Sequence, residues 1–288
     1  MKRKTKKSLR LRISMVAIAV AAGLAGYFLG FQQSHQEIEN KLVEKERATD
    51  QQDQKQAPKT DQGPIFASEI KQPKPMEPQE YCAKMDSDVR EFFKYLDKKN
   101  YVQHLNEGMD TYAEFKKILK KLSSDLPIPA GEGIDSTMMT KNIFHLFRSL
   151  SRRDIRLVKE ITLNEADTME WNLDMFHRWS LLGNQCPDPD KMRPSFDELY
   201  HYAGFFLNTI GGRAYLSRRP MALRILLSYY SLLIVHEADR KGRNTYGIDI
   251  FPYLAPLSAE MAIHPDLKLK KEYIQNLRQM EGYYLQKR

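Results

Sequence analysis

The sequence predicts an all-α protein: an irregular bundle of about eight or nine helices over residues 81–288, behind one N-terminal transmembrane helix and a Pro-rich linker. Three observations predict it. Apolar residues recur at three and four along nearly the whole chain after Tyr81, no convincing run alternates with the period of a strand, and Ile13 to Phe31 is 19 residues without a charge. Two capping signatures, Thr111-x-x-Glu114 and Ser195-x-x-Glu198, mark helix starts.

The elements follow in order. Residues 1–12 form a basic segment with Lys2, Arg3, Lys4, Lys6, Lys7, Arg10 and Arg12 and no acid. The apolar run at 13–31 reaches ~28 Å as a helix, about the thickness of a hydrocarbon core. Cations ahead of such a run stay on the cytoplasmic side. The expected topology is therefore single-pass at the inner (cytoplasmic) membrane, with the C-terminal domain periplasmic or otherwise extracytoplasmic. A cleaved signal peptide is the rival reading, with Gly23-Leu24-Ala25 as a cleavage site. Tyr27 to Phe31 continues the run past that point and favours an uncleaved anchor. Ala22, Gly26 and Gly30 form a small-residue stripe on which a second copy could pack as a homodimer.

Residues 32–80 read as a polar stalk and linker. Ile38, Leu42 and Val43 are the large aliphatics of the stalk, and Pro58, Pro64, Pro73, Pro75 and Pro78 argue against a core in the linker. Tyr81 to Leu96 opens the helical domain. The Thr111 signature precedes Phe115, Ile118, Leu119 and Leu122 on one face. Asp135 caps a helix whose expected buried face is Met139, Ile143, Leu146, Phe147 and Leu150. Further helices span 151–161 and 164–182, with Met169, Leu173, Phe176 and Trp179 turned inward. The helix opened by Ser195 is expected to stop at Gly211-Gly212. Ile225 to Val235 is apolar nearly all round, which predicts the central buried helix. Two helices near 255–263 and 265–285 close the chain.

The formal net charge is +8. Residues 1–78 carry +5 of it and residues 79–288 only +3, so the excess is largely the topogenic block and gives no support for nucleic acid as a partner. Two cysteines, Cys82 and Cys186, suggest a disulfide in an oxidising compartment, or two separate thiols. Their spacing fits no zinc motif.

Motifs that name a chemistry are absent. Gly131-Glu132-Gly133 lacks the strand and further glycines of a phosphate loop, and Gly-x-Ser-x-Gly does not occur. His236-Glu237 begins a zinc-protease pattern, but Arg240 stands where its second histidine belongs. Asp174-x-x-His177 and Glu198-x-x-His201 each place an acid and an imidazole on one helix face. These four, with Glu170 and Glu237 as candidates for two further acids, are the candidate metal set. No cofactor is implied. Trp171, Trp179, Tyr229 and Tyr230 read as core packing.

Two basic clusters are candidate sites for an anion or a partner, expected to be a protein or an anionic envelope polymer. Arg148, Arg152, Arg156 and Lys159 step by four, four and three, with Arg153 beside them. Arg213, Arg218, Arg219 and Arg224 surround a helix start after Gly211-Gly212, with Tyr215 among them. Guanidinium forks and free helix-start N–H groups suit carboxylate or phosphate. The function expected is that of a membrane-anchored envelope protein whose exported helical domain is an interaction or scaffold module. A metal-dependent enzyme, or a wall hydrolase using Glu198 or Glu237 as its acid, is the alternative.

Overall fold

The computed structural model describes residues 77–105, 108–129, 135–188 and 192–288. The expected anchor at 13–31, its Ala22/Gly26/Gly30 stripe and the stalk and linker up to residue 76 lie outside the described residues. Gln72–Arg288 forms one compact unit. Among the described residues it holds twelve α-helices, two short 3-10 turns and no strand.

The helices are α1 (Pro78–Asp97), α2 (Asn100–Gln103), α3 (Thr111–Ser124), α4 (Ser136–Ile143), α5 (His145–Ser149), α6 (Arg152–Asn164) and α7 (Met169–Leu181), then α8 (Phe196–Asn208), α9 (Ile210–Ser217), α10 (Met221–Arg240), α11 (Phe251–Ile263) and α12 (Lys270–Lys287). The all-helical class is as the periodicity predicts. The number of helices is larger, because two expected helices are broken at Phe144 and Thr209 and α2 is a separate short turn.

Capping chemistry sets several starts. Ser195 and Glu198 form the reciprocal box predicted for α8. Asp135 caps α4 through the Met138 N–H. At α3 the cap is one residue earlier than the signature implies. The Asp110 carboxylate accepts from the Ala113 N–H. Thr111 is instead buried, and its hydroxyl donates toward Phe93 O and Asp97 at the end of α1.

Two hydrophobic clusters fill the unit. The first joins α1 (Met85, Val89, Phe93, Leu96) to Ile118 of α3, Leu157 of α6 and Trp179 of α7. Phe93, Phe115 and Phe176 form a triangle of rings, with Phe93 4.6 Å from Phe115 and 5.9 Å from Phe176, and those two 5.5 Å apart, centroid to centroid. The second surrounds α10, whose Ile225, Leu226, Leu232 and Val235 are buried against α8, α11 and α12. Each such side chain contributes ~1.5–3 kcal/mol on full burial. By length and composition α10 is apolar enough to cross a membrane. In the fold it is the core helix: the middle of it, from Leu223 to Ala238, holds the buried side chains, and its polar residues such as Arg224 and Glu237 are partly exposed.

Glu170 of α7 links the two clusters. Its buried carboxylate accepts from the N–H groups of Lys268 (2.8 Å) and Leu269 (2.7 Å), just ahead of α12. An anion there satisfies orphan donors and suits the helix dipole.

Three packing expectations are corrected. Phe147 points to solvent rather than the core, as does Phe144. Inward positions on α4 and α5 go to Asn142, whose carboxamide pairs with both main-chain groups of Ile128, and to His145, which faces Tyr202 and Phe205. Trp171 is half exposed, whereas Trp179, Tyr229 and Tyr230 are buried. Gly211-Gly212 does not end a helix but forms the first turn of α9. A Cβ on Gly211 would collide with Asn142 O, and one on Gly212 with Phe205 O. The glycines are there for close approach of α9 to α4 and α8.

Candidate functional site

The first basic cluster is built by α6. Ser151 and Asp154 form a capping box at its start. Leu157, Asp154 and Thr162 point inward. At about 100° per residue this leaves Arg152, Arg156, Lys159 and Leu163 on one outward stripe roughly 60° wide. All four are exposed.

Neighbouring cations are already engaged. Arg148 donates to Asp125 (3.0 and 3.2 Å) and to Lys141 O. Arg153 reaches Glu114 at 3.6 Å. Lys121 of α3 takes up buried Asp154 at 2.5 Å. The amine and the capping hydrogen bonds outweigh burial and hold the Asp154 carboxyl below its usual range. Burial raises it, and these partners win. No carboxylate among the described residues pairs with Arg152, Arg156 or Lys159. The charge excess also gathers here: residues 111–164 carry 10 basic and 6 acidic side chains.

The second cluster is mostly spent inside the fold. Arg213 donates to Leu207 O and the Tyr253 hydroxyl. Arg224 pairs with Glu260 at 3.2 Å. Arg219 stacks on Tyr215 at 4.4 Å. Arg218 alone of the four has no partner among the described residues. The helix start itself is closed, because Thr209 caps the Gly212 N–H and both glycines are buried. It is not the open anion site the spacing suggests.

The candidate metal set is not brought together. Asp174 pairs with Arg178 at 2.9 Å. His177 turns onto the Tyr230 ring of α10, 4.8 Å away. Glu198 caps α8, and His201 Nδ1 meets Pro127 O at 2.9 Å. Glu170 is committed to the α12 start, and Glu237 pairs with Arg240 and Lys241. No group of three metal-ligating side chains occurs among the described residues. Identical acid–histidine spacing on α7 and α8 carries no information about whether those two faces meet.

Cys82 and Cys186 form a disulfide. Beside it stands a polar knot that sequence reasoning missed. Arg193, 3 % exposed, donates twice to Asp86 at 2.6 and 2.7 Å, and the Trp179 indole N–H donates to the same carboxylate at 2.9 Å. A second missed acid is Glu165. Buried at the end of α6, it accepts from the hydroxyls of Tyr95 (2.9 Å) and Tyr101 (2.8 Å). Burial first, and the carboxylate second, push the Tyr101 phenol far up, so it stays a donor. Both acids tie separated segments together, and nothing in their local sequence marks them.

Burial lowers the His177 pKa to about 4; Asp174 opposes this and Arg178 adds to it. Burial depresses His145 and His236 as well. A histidine held neutral in the fold takes a proton first when unfolded. Stability is therefore flat above the unfolded value near 6.5, and falls as pH drops from there toward 4. His177 alone accounts for about 3 kcal/mol across that window. Urea midpoints at pH 7 and pH 4.5 check this: His177→Gln is expected to shrink the difference, and an equal difference in the variant would contradict it.

No protein-family model, curated protein or solved structure matches the chain.

Proposed function

We propose that the chain is a membrane-anchored interaction module, with residues 13–31 as a single-pass inner-membrane anchor and the helical unit as an extracytoplasmic binding domain. The observation that carries this reading is the α6 stripe. Arg152, Arg156 and Lys159 stand in a row, exposed and without internal partners, while nearby cations are neutralised. Internal acids give these three nothing to hold, so the complement is an acidic surface outside the molecule. The Cys82–Cys186 bond supports an oxidising compartment.

The full chain in detergent, passed over immobilised polyglutamate, tests the site. Arg152→Glu with Arg156→Glu is expected to weaken retention by about tenfold, from a few tenths to 1 kcal/mol per exposed contact. Arg218→Glu, in the other cluster, is expected to change it little. Elution of wild type and the double variant at the same salt would rule out the α6 stripe as the binding face.

A further inference from the structure

We infer that the acidic surface taken by the α5–α6 face is an anionic phospholipid bilayer, an assignment that rests on the reading of that face as the binding site. The cations are not alone there. Phe144 and Phe147, one turn apart, are 57 % and 58 % exposed. They precede Arg152, Arg156 and Lys159, and Leu163, 50 % exposed, ends the same α6 stripe. Only Leu150 and Ser151 separate α5 from α6. Exposed aromatic side chains on the short helix leading into α6, and a leucine at the far end of its stripe, accompany the row of cations; a bilayer interface takes both kinds, rings entering the acyl boundary and cations staying among phosphates. A purely acidic polymer would satisfy the cations and leave both phenylalanines in water.

The anchor supplies the encounter. Between Phe31 and Glu77 lie 45 residues. They cannot span more than about 160 Å even fully extended. The domain of an anchored chain therefore never leaves the neighbourhood of a bilayer, and weak docking is promoted by high effective concentration. Each cation near an anionic surface contributes about fivefold in partition, so three exposed ones suffice for docking that salt can reverse.

The test uses the full chain in nanodiscs carrying bromine on the lipid acyl chains. Phe147→Trp in a Trp171→Phe background reports bromine contact, with buried Trp179 as the constant remainder; circular dichroism checks the fold of each variant. Quenching is expected in discs of phosphatidylcholine with phosphatidylglycerol and not in phosphatidylcholine alone. Adding Arg152→Glu and Arg156→Glu is expected to lower the docked-to-free ratio by at least about 25-fold, the loss of two attractions, with repulsion of the new carboxylates adding to it. Equal quenching in both lipids would overturn the anionic-headgroup assignment. No quenching in either lipid, with retention on polyglutamate that the charge reversal abolishes, would overturn the bilayer and leave the binding face standing. Loss of both signals would overturn both.

Discussion

Replacing Cys82 and Cys186 together by alanine is expected to lower the unfolding free energy of the helical domain by about 4–5 kcal/mol in the chain-entropy account. The two residues are 104 apart in sequence, so the bond closes most of the first hydrophobic cluster into one loop. It joins the second turn of α1 to the segment that follows α7, which no continuous helix connects. For a domain of this size a loss of that order moves the melting temperature by roughly 10–20 °C. Reducing agent added to the wild-type chain should produce a comparable shift, because both routes free the same loop. A shift under about 2 °C in both experiments would mean that noncovalent contacts alone set the stability of this region.

Asp86→Ala is the second large effect. It leaves the Arg193 guanidinium buried with only the Cys186 and Pro187 carbonyls as acceptors, and removes the acceptor of the Trp179 indole. Asp86 is 38 % exposed while Arg193 is buried, so the cost falls below that of a fully buried pair, at about 1–3 kcal/mol, mostly because the buried guanidinium is stranded. Asp86→Asn separates the two losses, since a carboxamide oxygen still accepts from Trp179. Combining Asp86→Ala with Arg193→Met removes the stranded charge and is expected to recover a large part of the stability. Chemical denaturation of the four proteins checks this. If Arg193→Met fails to improve on Asp86→Ala, the cost lies in packing around Trp179 and not in charge. Cys82 and Asp86 lie one turn apart on α1, so this effect and that of the disulfide are not expected to add.

What could be read in the sequence depended on the range of the interaction. Helical periodicity and capping are local, so α8 with its Ser195/Glu198 box and the buried α10 are where the pattern places them. The Ser151/Asp154 box follows the same rule with aspartate in place of glutamate, and attention to the shorter acid would have found it. Phe147 misled because helical spacing identifies a face, not its direction. Asn142 and His145 took the inward positions through partners more than 10 residues distant, at Ile128 and Tyr202. Gly211-Gly212 has the composition of a helix stop, and only the approach of α4 shows its real role. The acid–histidine pairs failed as a metal site for the same reason: each spacing is local, whereas a coordination sphere is not. The α6 stripe was legible as a row of cations. That three of them lack partners required knowing where Asp125, Asp154 and Glu114 point.

The reading proposed for the whole chain places the helical domain outside the cytoplasmic membrane. The direct measurement is protease added to intact spheroplasts expressing the full chain, with a cytoplasmic protein as the integrity control. Cleavage in the Pro-rich segment before residue 77 is predicted to release the disulfide-closed domain into the medium while the control survives. A full-length chain that stays intact until the spheroplasts are lysed would place the domain in the cytoplasm and contradict the account.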